Sequence, residues 1–104
     1  MVDVAVRTQI EHIAREYAKL ISKEMKVEGV YLFGSYVEGD YSEDSDIDIA
    51  VISDEFVGDI IEDTFKLMKL RRKVDNRIEP HPIKKNDLNE PFIKEILEKS
   101  LRID

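Results

Sequence analysis

The sequence predicts a small α/β (α+β) fold: a mixed three-stranded sheet flanked by helices, in the order α-β-β-α-β-α, forming one domain over residues 1–104. Three observations predict it. Apolar residues recur at helical spacing in three separate stretches. Between them lie short apolar runs, too short for helices and rich in strand formers. The length of 104 residues supports one core and not two. A helix stripe of this kind is buried by packing on a sheet, which gives the layered architecture.

Taken in order, Ile10, Ile13, Ala14, Tyr17, Ile21 and Met25 recur at three- and four-residue steps between Asp3 and Lys26, marking one long amphipathic helix. Gly29 suits its stop. Val30-Tyr31-Leu32-Phe33, ending at Gly34, reads as a buried strand. Tyr36 to Ser45 is polar, with Gly39-Asp40 as a turn signal. Asp46 to Ile52 reads as the second strand, with Ile47, Ile49 and Val51 on one face. Ala50 and Ile52 make its far end apolar on the other face too, as in a central strand. Ser53-Asp54 can cap a helix over residues 56–73, with Val57, Ile60, Ile61, Thr64 and Met68 as its inner stripe. Val74 to Ile83 reads as the third strand. Pro80 and Pro82 there are two apart, so both missing N–H groups fall on one side, a free sheet edge. Pro91 opens a last helix, where an absent donor costs little. Phe92, Ile93, Ile96, Leu97 and Leu101 form the apolar face of that helix.

Composition narrows the function classes. With 23 acidic and 16 basic residues the net charge is -7, which argues against a broad basic surface for bare nucleic acid. No apolar run reaches the ~18 residues of a membrane span. Met1 to Ile10 has no basic-then-apolar leader pattern. The absence of cysteine removes disulfides, thiolate zinc sites and cysteine nucleophiles. The expectation is an acidic cytoplasmic protein that contacts neither membrane nor nucleic acid directly.

Leu32-Phe33-Gly34-Ser35, followed by Asp46-Ile47-Asp48, carries the chemistry. Asp46 and Asp48 are two apart on a strand, so they share a face with Cα atoms roughly 6.6 Å apart. Paired carboxylates repel unless one is protonated or a cation lies between them. Oxygen ligands of this kind suit Mg²⁺ or Mn²⁺, which bind one or two carboxylates together with substrate phosphates. Gly34 ends a strand and lets a phosphate approach the backbone without a Cβ in the way. Ser35 opens a polar turn, and its hydroxyl can donate to a phosphate oxygen. Phosphoryl or nucleotidyl transfer is the chemistry this combination suggests. Plainer readings stand beside it: Ser35 and Glu38 as a capping box, and the aspartates as solvated strand-start charges. Asp44, Asp46, Asp48 and Glu55 also match positions 1, 3, 5 and 12 of a calcium loop. Ile49 stands where that loop needs glycine, and the segment reads as strand, so this reading fails.

Gly34-Ser35, ten intervening residues, then Asp46-x-Asp48 resembles the signature of the DNA polymerase beta-like nucleotidyltransferase superfamily. The surrounding Leu32-Phe33-Gly34-Ser35 and Ser45-Asp46-Ile47-Asp48-Ile49-Ala50-Val51 look like its minimal nucleotidyltransferase branch. The resemblance implies the nucleotidyltransferase fold, ATP as donor and two Mg²⁺ ions held by Asp46, Asp48 and a third carboxylate. Gly34 and Ser35 would hold the triphosphate. The third carboxylate is Glu79, in Arg77-Ile78-Glu79-Pro80-His81, where period two puts Arg77, Glu79 and His81 on one face. Asp75 is the alternative. Here the sequence departs from the family pattern, which often has aspartate at the third position and a basic residue after the serine. This chain has Glu79 and Tyr36-Val37-Glu38 instead. His81, between two prolines, reads mainly as a structural residue.

The resemblance further implies an antitoxin that transfers AMP to a tyrosine of an all-helical HEPN toxin partner. A chain of 104 residues leaves little room for an acceptor site of its own, which fits a protein acceptor. The long first helix, and the basic run Lys66, Lys69, Arg71, Arg72 and Lys73, are its candidate contact surfaces, although cations at a helix end also complement the dipole. Two alternatives remain: a non-catalytic module acting by contact, and a homo-oligomeric small-molecule nucleotidyltransferase with its acceptor pocket between subunits.

Overall fold

The structure, a computed structural model, describes residues 4–42 and 44–104. Its elements are α1 (Val4–Glu24), β1 (Gly29–Phe33), a one-turn α2 (Ser35–Glu38), β2 (Ile47–Ser53), α3 (Ile60–Arg71), β3 (Ile78–Lys84), a 3₁₀ turn (Lys85–Asp87), α4 (Pro91–Glu98) and β4 (Leu101–Arg102). The expected helix start at Asp3 lies outside the described residues, as does Glu43 within the polar stretch.

The sheet runs in the order β3-β2-β1-β4. β1 is antiparallel to both β2 and β4, whereas β2 and β3 are parallel. The fold is therefore the mixed α/β sheet expected, with four strands rather than three. The fourth was hidden because it is only two residues long: Leu101 pairs with Leu32 and Arg102 with Tyr31. Leu101 thus belongs to this strand and not to the face of α4. β3 lies at the sheet edge, as its prolines foretold. The Arg77 carbonyl accepts from the Ile47 amide, and the Ile78 carbonyl turns the other way to accept from Arg71 Nη1 at 2.9 Å. Even-numbered positions of β3 therefore point away from β2, and Pro80 and Pro82 withhold their donors where no strand needs them.

β2 is covered on both faces. Ile47, Ile49 and Val51 pack with Val30, Leu32, Ile78, Leu67 and the α1 residues Ile10, Ala14, Tyr17 and Ile21. The buried Tyr17 hydroxyl donates to the Leu67 carbonyl at 2.7 Å, joining α1 to α3, and burial raises its pKa. Ala50, Ile52 and Ile83 pack on the opposite face against Tyr31, Phe33, Leu88, Ile93 and Leu97.

α3 departs most from expectation. It starts at Ile60, and its cap is Asp59, whose side chain accepts from the Ile61 and Glu62 amides. Ser53 is instead buried, donating to the Lys26 carbonyl and accepting from the Glu55 amide. The buried residues of α3 are Asp63 and Leu67, whereas Val57, Ile60 and Ile61, expected inside, are exposed. Asp63 accounts for the choice of face. Its carboxylate accepts from the amides of Val57 and Gly58, both at 3.1 Å, and so folds the preceding loop under the helix. β3 also starts later than expected. Residues 74–77 form a turn in which Asp75 accepts from the Arg77 amide at 2.8 Å.

Candidate functional site

One end of the sheet brings together the end of β1, the start of β2 and the start of β3. Gly34 leaves β1 with φ 85° and ψ −154°, a region open essentially to glycine alone. A Cβ there would run into Asp48 Oδ2 and stand 3.1 Å from its Cγ. Gly34 thus turns the chain and leaves room for the Asp48 carboxylate. Its carbonyl accepts from the Val37 and Glu38 amides, both at 3.0 Å, which starts α2. The capping box expected of Ser35 and Glu38 does not form: Gly34 occupies the cap position and no side chain caps the turn. The Ser35 hydroxyl makes no hydrogen bond to the described residues and is free to donate.

The register places the acids. Asp48 is opposite Phe33 on one side and Glu79 on the other, and Ala50 is opposite His81. Asp48, Glu79 and His81 each present a ligand atom within 4.8 Å of the others. His81 Nε2 lies 3.2 Å from Asp48 Oδ1, and the His81 ring meets the edge of Phe33 with centroids 5.0 Å apart. Asp46 sits one residue before β2, exposed, where its side chain reaches the Glu79 carboxyl. A hydrogen bond shared with Asp46 raises the pKa of Glu79. Burial raises it further, as do the charges of Asp48 and Asp46, while His81 opposes them. Mutual repulsion among crowded carboxylates is what a divalent cation would relieve. The donor set is mainly hard oxygen and fits Mg²⁺, with one imidazole nitrogen beside it.

Asp75 is not in this cluster. Its carboxylate is taken by the Arg77 guanidinium, through Nε at 3.1 Å and Nη2 at 2.9 Å, which lowers its pKa. That leaves Glu79 beside Asp48. Arg77 itself precedes β3 and does not join the strand face with Glu79 and His81. The calcium-loop reading also fails on geometry, because Ile47–Ser53 is strand and the Glu55 carboxylate accepts from the Lys26 amide. His81 adds a nitrogen donor that the sequence pattern does not single out; its one signal is the spacing of two from Glu79.

Two hollows adjoin the cluster. One, of about 190 Å³, lies between the Gly34 turn and Phe92, Ile96 and Lys99. The other, of about 370 Å³, runs from Glu79 and His81 along Ile60, Thr64 and Met68 of α3. An anion-accepting turn next to a carboxylate cluster can hold a polyphosphate through a bridging cation and present it to an acceptor from either hollow.

Residues 14–104 match the nucleotidyltransferase domain family. A Methanocaldococcus jannaschii protein named "Putative protein adenylyltransferase" is 31% identical over 94 residues, spanning 90% of this chain and 93% of that protein. Another of the same name and organism is 34% identical over 94 residues, spanning 85% and 92%. Among solved structures, one described as a "putative nucleotidyltransferase from Sulfolobus solfataricus" superposes with a TM-score of 0.70 at 19% identity, covering 95% of this chain and 83% of that one. A second, described as a "toxin-antitoxin with AMP-PNP", has a TM-score of 0.59 at 21% identity and covers 86% and 72%. At these identities the two structures share the fold.

Proposed function

The chain belongs to the nucleotidyltransferase domain family, and from that premise we propose that it transfers AMP from ATP to a tyrosine hydroxyl of a helical HEPN toxin, with Mg²⁺, acting as an antitoxin. Several relatives that bear the adenylyltransferase name match nearly the whole chain, which supports a protein acceptor. The toxin–antitoxin structure holding AMP-PNP supports a nucleotide donor and a toxin partner. The observation that carries the reading is the convergence of Asp48, Glu79 and His81 on the Gly34 turn.

Asp46, Asp48 and Glu79 would hold the metal. Bound there, Mg²⁺ would offset the triphosphate charge and favour attack at the α-phosphorus. Gly34 and Ser35 would hold the triphosphate, through backbone amides and the free hydroxyl. The acceptor oxygen would bond to the α-phosphorus as the bond to pyrophosphate breaks. Glu79 would either ligate the metal with the two aspartates or receive the acceptor proton. His81, next to Asp48, would orient that carboxylate.

The test is the double variant Asp46→Asn, Asp48→Asn with labelled ATP, Mg²⁺ and a helical HEPN-type protein as the acceptor. Loss of the ligands should remove several kcal/mol of transition-state stabilisation, about 100-fold or more in transfer, with the circular dichroism spectrum unchanged. Transfer at the wild-type rate refutes the site. A tight complex with no AMP on the partner, for wild type and variant alike, identifies a module acting by contact.

A further inference from the structure

Of the stripe that the sequence marks as the inner face of α3, Val57, Ile60 and Ile61 lie outside, and Thr64 and Met68 are half-buried. Val57, Ile60, Ile61 and Phe65 are 63%, 64%, 79% and 62% exposed. An apolar strip of this size on the outer face of a helix marks an interaction surface. A hollow of about 510 Å³ runs along it, lined by Ile61, Phe65 and Met68 and bordered by Lys69 and Arg72. Lys69 Nζ lies over the Phe65 ring, 5.1 Å from its centre. The strip continues into the 370 Å³ hollow, where Ile60 and Met68 share the lining with Glu79 and His81. The docking strip and the carboxylate cluster are therefore one continuous surface.

We propose that this strip docks the protein acceptor, through an amphipathic helix with apolar residues against Ile61 and Phe65 and carboxylates against Lys69 and Arg72. The inference rests on the protein-acceptor reading above and adds the surface that would serve it. Charge selects the occupant. The chain as a whole carries -7, yet Lys69, Arg71 and Arg72 line this hollow, so its border attracts acid where the net charge of the molecule repels it. The acidic cluster itself would repel an acidic acceptor, so the attraction has to lie to one side of the site, which is where the basic border sits.

The experiment mixes the full chain with a helical HEPN-type protein as the acceptor and measures complex mass by light scattering and Kd by titration. Ile61→Asp, Phe65→Asp should weaken binding at least 10-fold. Lys69→Glu, Arg72→Glu should also weaken it and flatten its salt dependence. Both variants should stay folded and keep wild-type binding of AMP-PNP with Mg²⁺, since none of these side chains touches the nucleotide site. Unchanged Kd in both variants, no complex with wild type, or a homodimer of the isolated chain abolished by Phe65→Asp each overturns the proposal. A complex that both variants disrupt but that receives no AMP leaves the docking surface standing and refutes the catalytic reading instead.

Discussion

Gly34 shows how one residue can serve backbone and site together. Its backbone lies at φ 85° and ψ −154°, and its missing side chain is the space that Asp48 Oδ2 occupies. Gly34→Ala therefore carries two costs: backbone strain of about 1–3 kcal/mol, and displacement of the Asp48 carboxylate. Gly58 separates them. Its φ is also positive, at 89°, but a Cβ there would meet the flexible end of Lys84, at 3.3 Å from Nζ. Gly58→Ala should lower the melting temperature and leave nucleotide binding unchanged. Gly34→Ala should lower both, with AMP-PNP–Mg²⁺ affinity down at least ~10-fold, the equivalent of 1.4 kcal/mol. Equal nucleotide affinity in the two variants would show that the Asp48 contact carries nothing. The sequence made Gly34 and Asp48 legible because strand, turn and strand bring them together at fixed spacing. It could not show that the two touch, because that depends on the Phe33–Asp48 register.

At the scale of elements, α3 is where sequence pattern and packing part. Its most apolar stripe was read as the inner face on the general rule that apolar faces are buried. The structure buries Asp63 and Leu67 instead. An acidic residue reads as outward in any periodicity, and only the two loop amides that Asp63 accepts explain its position. The same locality hid β4, because two residues carry no period. By contrast α1, β1, β2 and the edge position of β3 were legible, since each rests on a run of side chains or on prolines whose missing donors have few places to go. Asp63→Asn retains one acceptor and turns an amide group toward the other loop N–H, leaving a donor unsatisfied. It should cost about 1–3 kcal/mol, read from the urea midpoint, and speed hydrogen exchange at Val57 and Gly58. Wild-type stability with wild-type exchange would mean that the clamp does not hold the loop.

Across the whole molecule, contacts distant in sequence close the sheet, and they make stability depend on pH. Asp104 accepts from the Val30 amide at 3.0 Å and from Arg102 Nε at 3.0 Å, while Arg15 donates to the Ile103 carbonyl at 3.1 Å. Burial pushes the Asp104 pKa up, but the Val30 amide and Arg102 outweigh it, and the net shift is downward. The native state therefore favours the ionised form. Its stabilisation is complete above the ordinary aspartate value near pH ~4 and is lost as pH falls through the lower native value. Glu79 has the opposite sign: its pKa is raised, so its contribution is complete below the ordinary glutamate value and lost as pH rises through the native one. Asp104→Asn, which keeps an acceptor for Val30 but drops the charge, should be less stable than wild type at pH 7, with the gap closing below about pH 4. Glu79→Gln should be more stable than wild type at pH 7 without metal, with no gain at pH 4. Mg²⁺ should stabilise wild type at pH 7, do so less at pH 5 where protons compete for the same carboxylates, and leave Glu79→Gln nearly unmoved. Urea titrations of the three proteins at these pH values, with and without Mg²⁺, decide the matter. A Glu79→Gln protein stabilised by Mg²⁺ as strongly as wild type would place the cation away from the end of the sheet where β2 and β3 meet.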